Sequence, residues 1–178
     1  MLLTAAARRP DTLAGIFLSA PMLGICAFET LSFMLPLTEM LATPAQSPFL
    51  HFPKFVPHNY TADLQTRTHC RALLMEHPQL APRVAAVPWC AGAVGYLEKI
   101  SDPQLLEKIS LPVAIALAQE DVLVSNDKAR TIAAALPNCS VFEVEGAQHE
   151  LLLEQQPLRC QVWQHIDAFL AAPANGRS

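Results

Sequence analysis

The chain has 178 residues, of which 52% are hydrophobic and 16% charged, and its formal net charge is −4. That length suits one domain with room for an inserted subdomain, and the apolar composition requires a large core or a greasy groove. With no basic cluster beyond Arg8-Arg9, nucleic acid is excluded as an expected partner.

In chain order, Leu2 to Arg9 reads as the end of a helix that Pro10-Asp11 stops. Met1 to Ala7 is apolar but lacks the basic start of a signal peptide. Leu13 to Leu18 is the first expected strand, ended by Ser19-Ala20-Pro21, with Pro21 to Ile25 as the loop at its carboxyl end. Thr12 to Phe28 contains 17 uncharged residues. A membrane span needs about 20 apolar residues in helix. Gly15, Pro21 and Gly24 interrupt this stretch, so no transmembrane span is expected.

Residues 26–109 differ in texture. Phe28, Leu31, Met34-Leu35, then Leu37, Met40 and Leu41 recur at helical spacing around Pro36. Thr43 to Tyr60 is rich in proline and aromatic residues without a regular period, and reads as an irregular but ordered surface segment. Asp63 to His77, Trp89 to Ile100 and Pro103 to Ile109 are expected helices. No strand pattern interrupts them, so this stretch reads as a helical cap or lid inserted between two strands of a sheet.

Val113 to Ala118 is a short apolar run between Pro112 and Gln119, the pattern of a strand buried on both faces of a parallel sheet. Asn126 to Leu136 is a helix with Ala129, Ile132, Ala133 and Leu136 on one stripe, broken by Pro137-Asn138. Val141, Phe142 and Val144 mark the next strand, after which Gly146 to His149 turns away. Gln155 to Leu170 is the closing helix, its face given by Val162, Ile166, Phe169 and Leu170. The expected fold is therefore α/β, with about three parallel strands and an inserted helical cap. The expected boundaries are 1–25 for a first core piece, 26–109 for the cap, 110–172 for the rest of the core and 173–178 for a tail.

Two acid–base side chains, Asp121 and His149, follow the carboxyl ends of successive predicted strands, the edge where open α/β sheets bind ligands. Asp121 alternatively serves a turn, with Glu120 and Asp127 as competing acids, and Asp127 is better placed as a first-turn helix residue. His149 alternatively is an ordinary loop histidine. His51, His58, His69 and His77 match no zinc spacing, and His165 lies inside the closing helix, so no metal or cofactor is expected. The five cysteines form no C-x-x-C and are expected as free thiols in a reducing compartment. Ser19, Cys26 and Cys90 are the available stand-in nucleophiles, none in a recognisable elbow.

Four segments resemble the α/β-hydrolases, in their lysophospholipase, monoacylglycerol-lipase and serine aminopeptidase-like branch. Arg8-Arg9-Pro10-Asp11 through Phe17-Leu18-Ser19-Ala20-Pro21-Met22 is similar to the helix end and strand after the family's nucleophile elbow. His58-Asn59-Tyr60-Thr61-Ala62-Asp63 is similar to a cap segment, Gln119-Glu120-Asp121 to the loop of the triad acid, and Gly146-Ala147-Gln148-His149-Glu150-Leu151-Leu152 to the loop of the triad histidine. The resemblance implies Asp121 and His149 as catalytic acid and base in the order Ser…Asp…His. It implies a serine-type ester hydrolase acting on lysophospholipids or monoacylglycerols, with an acyl chain held at the cap. A cytoplasmic location is expected, with peripheral membrane association as the alternative. No G-x-S-x-G occurs in the 178 residues, so the attacking serine is absent from them. The alternatives are a non-catalytic lipid- or partner-binding relative, or half of a split hydrolase. The first strand, lacking its usual neighbour, is expected to leave an open edge that favours self-association.

Overall fold

A strand without a polar side chain organises the molecule. β2 (Val113–Ala118) is buried at every position, as its unbroken apolar run requires. It is the middle strand of a three-stranded parallel sheet, between β1 (Ile16–Ser19) and β3 (Cys139–Val144). The structure is a computed structural model that describes residues 2–9, 12–26, 60–80 and 87–172. The expected helical spacing at 28–41, most of the proline-rich segment and the tail at 173–178 lie outside the described residues.

In register, Ile16 lies beside Val113 and Ser19 beside Ala116, while Val113 lies beside Cys139 and Ala118 beside Val144. β1 begins at Ile16 rather than at the expected Leu13. The Ile16 amide donates to the Pro112 carbonyl at 2.9 Å. The next rung toward Leu13 would need a hydrogen on the Pro112 nitrogen, which proline lacks, so pairing stops there.

The pleat of β2 separates large from small side chains. Val113, Ile115 and Leu117 join one core cluster with Ile16, Leu3 and Ala6 of α1 (Leu2–Arg8), Ile100 of α3 (Val87–Ile100), and Leu106 of α4 (Pro103–Leu106). Ile132 of α5 (Asn126–Ala135) completes that face. Ala116 and Ala118 belong to a second cluster with Val144, Leu151 and Val162. Small residues there leave room for rings from the outer strands. Phe17 lies beside Ala114 and Phe142 beside Ala116, and their ring centroids are 6.0 Å apart. Phe169 of α6 (Gln156–Ala171) meets Phe17 edge-on at 5.9 Å, and His165 stacks on Phe142 at 3.7 Å.

The helices follow their sequence signals. Ser125 caps α5, its hydroxyl accepting from the Lys128 amide at 3.3 Å, and all four residues of the expected stripe are buried. Asp63 caps α2 (Leu64–Glu76), accepting from the Thr66 amide at 2.7 Å. No residue of α2 is buried, and Leu64 and Met75 face solvent. On α6, Val162 packs inward as expected, but Leu170 is exposed, one position beyond the last helical turn that reaches the sheet through Phe169. Among the described residues between Cys26 and Pro112 there is no strand, and no described helix is long and apolar enough to cross a membrane.

Candidate active site

The loops that leave β2 and β3 are fastened to each other. The Gln119 amide donates to the Val144 carbonyl at 3.1 Å and the Glu120 amide to the Ala147 carbonyl at 2.9 Å. The Gly146 amide donates to the Gln119 side-chain oxygen at 3.0 Å. Gly146 has φ of +72°, a left-handed turn that glycine adopts without steric cost. This fastening brings Asp121 and His149 together, with His149 Nδ1 2.8 Å from Asp121 Oδ2.

Asp121 is locally preorganised. Its Oδ1 accepts from the Leu123 amide at 2.8 Å and the Val124 amide at 3.0 Å, the short-range pattern of an aspartate turn. Its side chain is fully buried, whereas that of His149 is 20% exposed. The competing acids are elsewhere: Glu120 is exposed, and Asp127 pairs with Arg130 at 3.1 Å in the first turn of α5.

With Nδ1 directed at a carboxylate, the neutral imidazole keeps its proton on Nδ1 and leaves Nε2 as the basic nitrogen. Burial opposes the charged imidazolium, but the hydrogen bond and charge of Asp121, aided by Glu150, outweigh it and raise the His149 pKa above its ordinary value. The Tyr60 ring meets the imidazole edge-on at 6.0 Å. Burial and the Glu150 carboxylate push the Tyr60 phenol upward, so it stays protonated at neutral pH.

Each loop is also braced by the chain on either side of residues 27–59. Next to the acid loop, the Ser125 amide donates to the Gly24 carbonyl and the Cys26 amide to the Leu123 carbonyl, both at 3.1 Å, around an isolated Ile25–Val124 bridge. Next to the histidine loop, the Glu150 amide donates to the Tyr60 carbonyl at 2.6 Å, and the Thr61 hydroxyl donates to the Leu153 carbonyl at 3.0 Å. Glu154, fully buried, accepts from the Ala62 and Gln148 amides through Oε1, each at 2.9 Å. A cavity of about 140 Å³ lies between α2 and this loop, lined by residues that include Tyr60, Arg67, Cys70 and Leu153.

Sequence reasoning missed Thr61 and Glu154. The available signal was a single acid ending the apolar run Leu151-Leu152-Leu153, where a charge that folds inward must find donors. Of the stand-in nucleophiles, Ser19 is exposed at the end of β1 and Cys26 is half-buried and forms no disulfide; the Cys90 side chain lies outside the described residues.

In sequence and in fold the chain is similar to known proteins. Residues 1–156 match the profile of the family described as serine aminopeptidase, S33. A stretch of 68 residues is 29% identical to the probable lysophospholipase L2 of Haemophilus influenzae, covering 38% of this chain and 22% of that protein. The monoacylglycerol lipase of Paleococcus ferrophilus superposes with a TM-score of 0.72 at 20% identity, over 95% of this chain and 63% of that one. A soluble variant of monoglyceride lipase from Saccharomyces cerevisiae, in complex with a substrate analogue, gives 0.69 at 16% identity, over 95% and 60%. The chain thus spans less than two-thirds of the length of these relatives. The superpositions establish an α/β-hydrolase architecture, and the profile match, extending from residue 1 to residue 156, establishes that the chain belongs to the serine aminopeptidase, S33, family.

Proposed function

We propose that these residues carry the acid–base half of a serine-type carboxylic-ester hydrolase whose substrates are lipid-like esters of the lysophospholipid or monoacylglycerol kind. The observation that carries this reading is the 2.8 Å contact between His149 Nδ1 and a buried, preorganised Asp121 at the carboxyl rim of the sheet. In this role His149 Nε2 takes the proton of a serine hydroxyl as it attacks the ester carbonyl. It then returns the proton to the departing alkoxide. Asp121 holds the imidazole tautomer and stabilises the imidazolium that forms between the two steps. In this reading the cap expected within residues 26–109 holds the acyl chain, where each buried CH₂ contributes about 0.8 kcal/mol. The relatives named as a lysophospholipase and as monoglyceride lipases support the substrate class. Such substrates are met at membrane surfaces, and the expected cytoplasmic side stays the proposed place of action.

No G-x-S-x-G lies within the 178 residues, so the attacking hydroxyl comes from polypeptide outside them, in the same chain or another. The coding sequence upstream of the Met1 codon distinguishes these two sources. A fluorophosphonate probe tests the chemistry. Residues 1–178 alone should remain unlabelled, and stoichiometric labelling of a serine within them would overturn the proposal. Once a segment bearing the elbow is supplied, labelling should appear and should slow by about 100-fold or more in His149→Ala. Labelling that persists at full rate in that variant would remove His149 from the base role. Failure to label in every combination would favour the second reading, a relative that binds lipid or a partner without turnover.

A further inference from the structure

We propose that Glu154 is a positioning residue for His149, a buried strut that ties the histidine loop to the segment Tyr60–Asp63 so that any displacement of that segment reaches the imidazole. The proposal rests on the reading of His149 as the catalytic base and extends it to a residue outside the acid–base pair.

A carboxylate with no exposure is costly to bury unless donors surround it. Here the donors are backbone amides. Oε1 accepts from Ala62 and Gln148, and Oε2 accepts from Gln155 at 3.3 Å. One oxygen atom therefore joins two parts of the chain that are far apart in sequence. The consequence for His149 follows from its neighbours. On one side, the Gln148 amide is held to Ala62 through Glu154; on the other, the Glu150 amide is held directly to the Tyr60 carbonyl. His149 lies between these two ties, and the edge of Tyr60 meets its ring. Thr61, itself buried, adds its bond to Leu153 and accepts from the Asp63 amide at 3.0 Å.

The chemistry also explains why a carboxylate occupies the position. It offers lone pairs to all three amides and carries no donor to oppose them. Glutamine would keep one accepting oxygen for Ala62 and Gln148 but would turn an NH₂ toward the Gln155 amide. Leucine would leave all three amides without this acceptor, two of them half-buried.

Amide hydrogen exchange and an NMR titration of His149, both on the 178-residue chain, test the proposal. In Glu154→Leu, exchange at Ala62 and Gln148 should accelerate about tenfold or more, while Ile115 in β2 keeps its protection. The His149 titration should move down toward its ordinary value. Glu154→Gln should shift both readouts less. If Glu154→Leu also costs Ile115 its protection, Thr61→Val takes its place, because it loosens the same segment from the Leu153 side and leaves the carboxylate intact. It should move His149 in the same direction. The proposal is overturned if His149 titrates as in the wild type while Ala62 and Gln148 exchange freely, since Glu154 would then only support the fold. It is equally overturned if those amides stay protected without the carboxylate. A wild-type His149 indifferent to Asp121→Asn would instead sink the acid–base reading, whatever the Glu154 variants do to the amides.

Discussion

Asp121 divides its work between its two oxygens. Oδ1 builds the turn that follows β2, and Oδ2 meets the imidazole. Asp121→Ala should therefore cost more than the imidazole contact, because it leaves the Leu123 and Val124 amides without their acceptor. A loss of about 1–3 kcal/mol is expected in urea unfolding. Asp121→Asn should cost less, since an amide oxygen can still accept both bonds. The pair also fixes the sign of a pH effect. The folded-state pKa of His149 is raised above 6.5, so folding favours the protonated ring. The corresponding stability is fully present below 6.5 and is lost as pH rises through the folded value. The melting-temperature gap between wild type and Asp121→Asn should accordingly widen as pH falls from alkaline toward 6.5, staying above the carboxylate range. A gap that is constant with pH would contradict this coupling.

The elements that position the pair depend on a packing asymmetry in β2. Its alanine face is roofed by Phe17, Phe142 and Phe169, so bulk added there has nowhere to go. Ala116→Leu should destabilise the protein by about 1–3 kcal/mol in thermal or urea unfolding, despite increasing hydrophobicity. An unchanged melting temperature would mean that the rings move aside freely. β2 and α5 were legible in the sequence because an apolar run too short for a helix, bounded by Pro112 and Gln119, suits a buried strand, and a clean helical stripe suits one packed face. The rim position of Asp121 and His149 was legible for the same reason: in a strand–helix–strand unit the two loops emerge on one edge. The choice among Asp121, Glu120 and Asp127 depended on side-chain direction, which spacing does not encode. For Glu154 the sequence offered only an acid ending an apolar run, because its donors come partly from Ala62, a neighbour only after folding. Leu170, expected on the same face as Val162, is instead exposed in the last turn of α6.

Taken as a whole, the described sheet has one interior strand and two outer ones. The bonds from Ile16 and Ala20 face β2, so the parallel ladder turns the backbone groups of Phe17 and Ser19 to the opposite side. An outer strand of this kind is a template for pairing. Under the proposed function it is where the strand leading to the nucleophile adds. For residues 1–178 alone, sedimentation velocity should show concentration-dependent oligomers, reduced in Ser19→Lys, where a charge is placed on the exposed end of β1. A single monomeric species at all concentrations would contradict that expectation. The acid–base pair itself is tested most directly by long-range ¹⁵N–¹H correlation spectra of His149 across a pH titration, in wild type and in Asp121→Asn. The expected result is a neutral ring protonated on Nδ1, titrating above 6.5 in the wild type and lower in the variant. A neutral ring protonated on Nε2, or a titration that Asp121→Asn leaves unmoved, would contradict it.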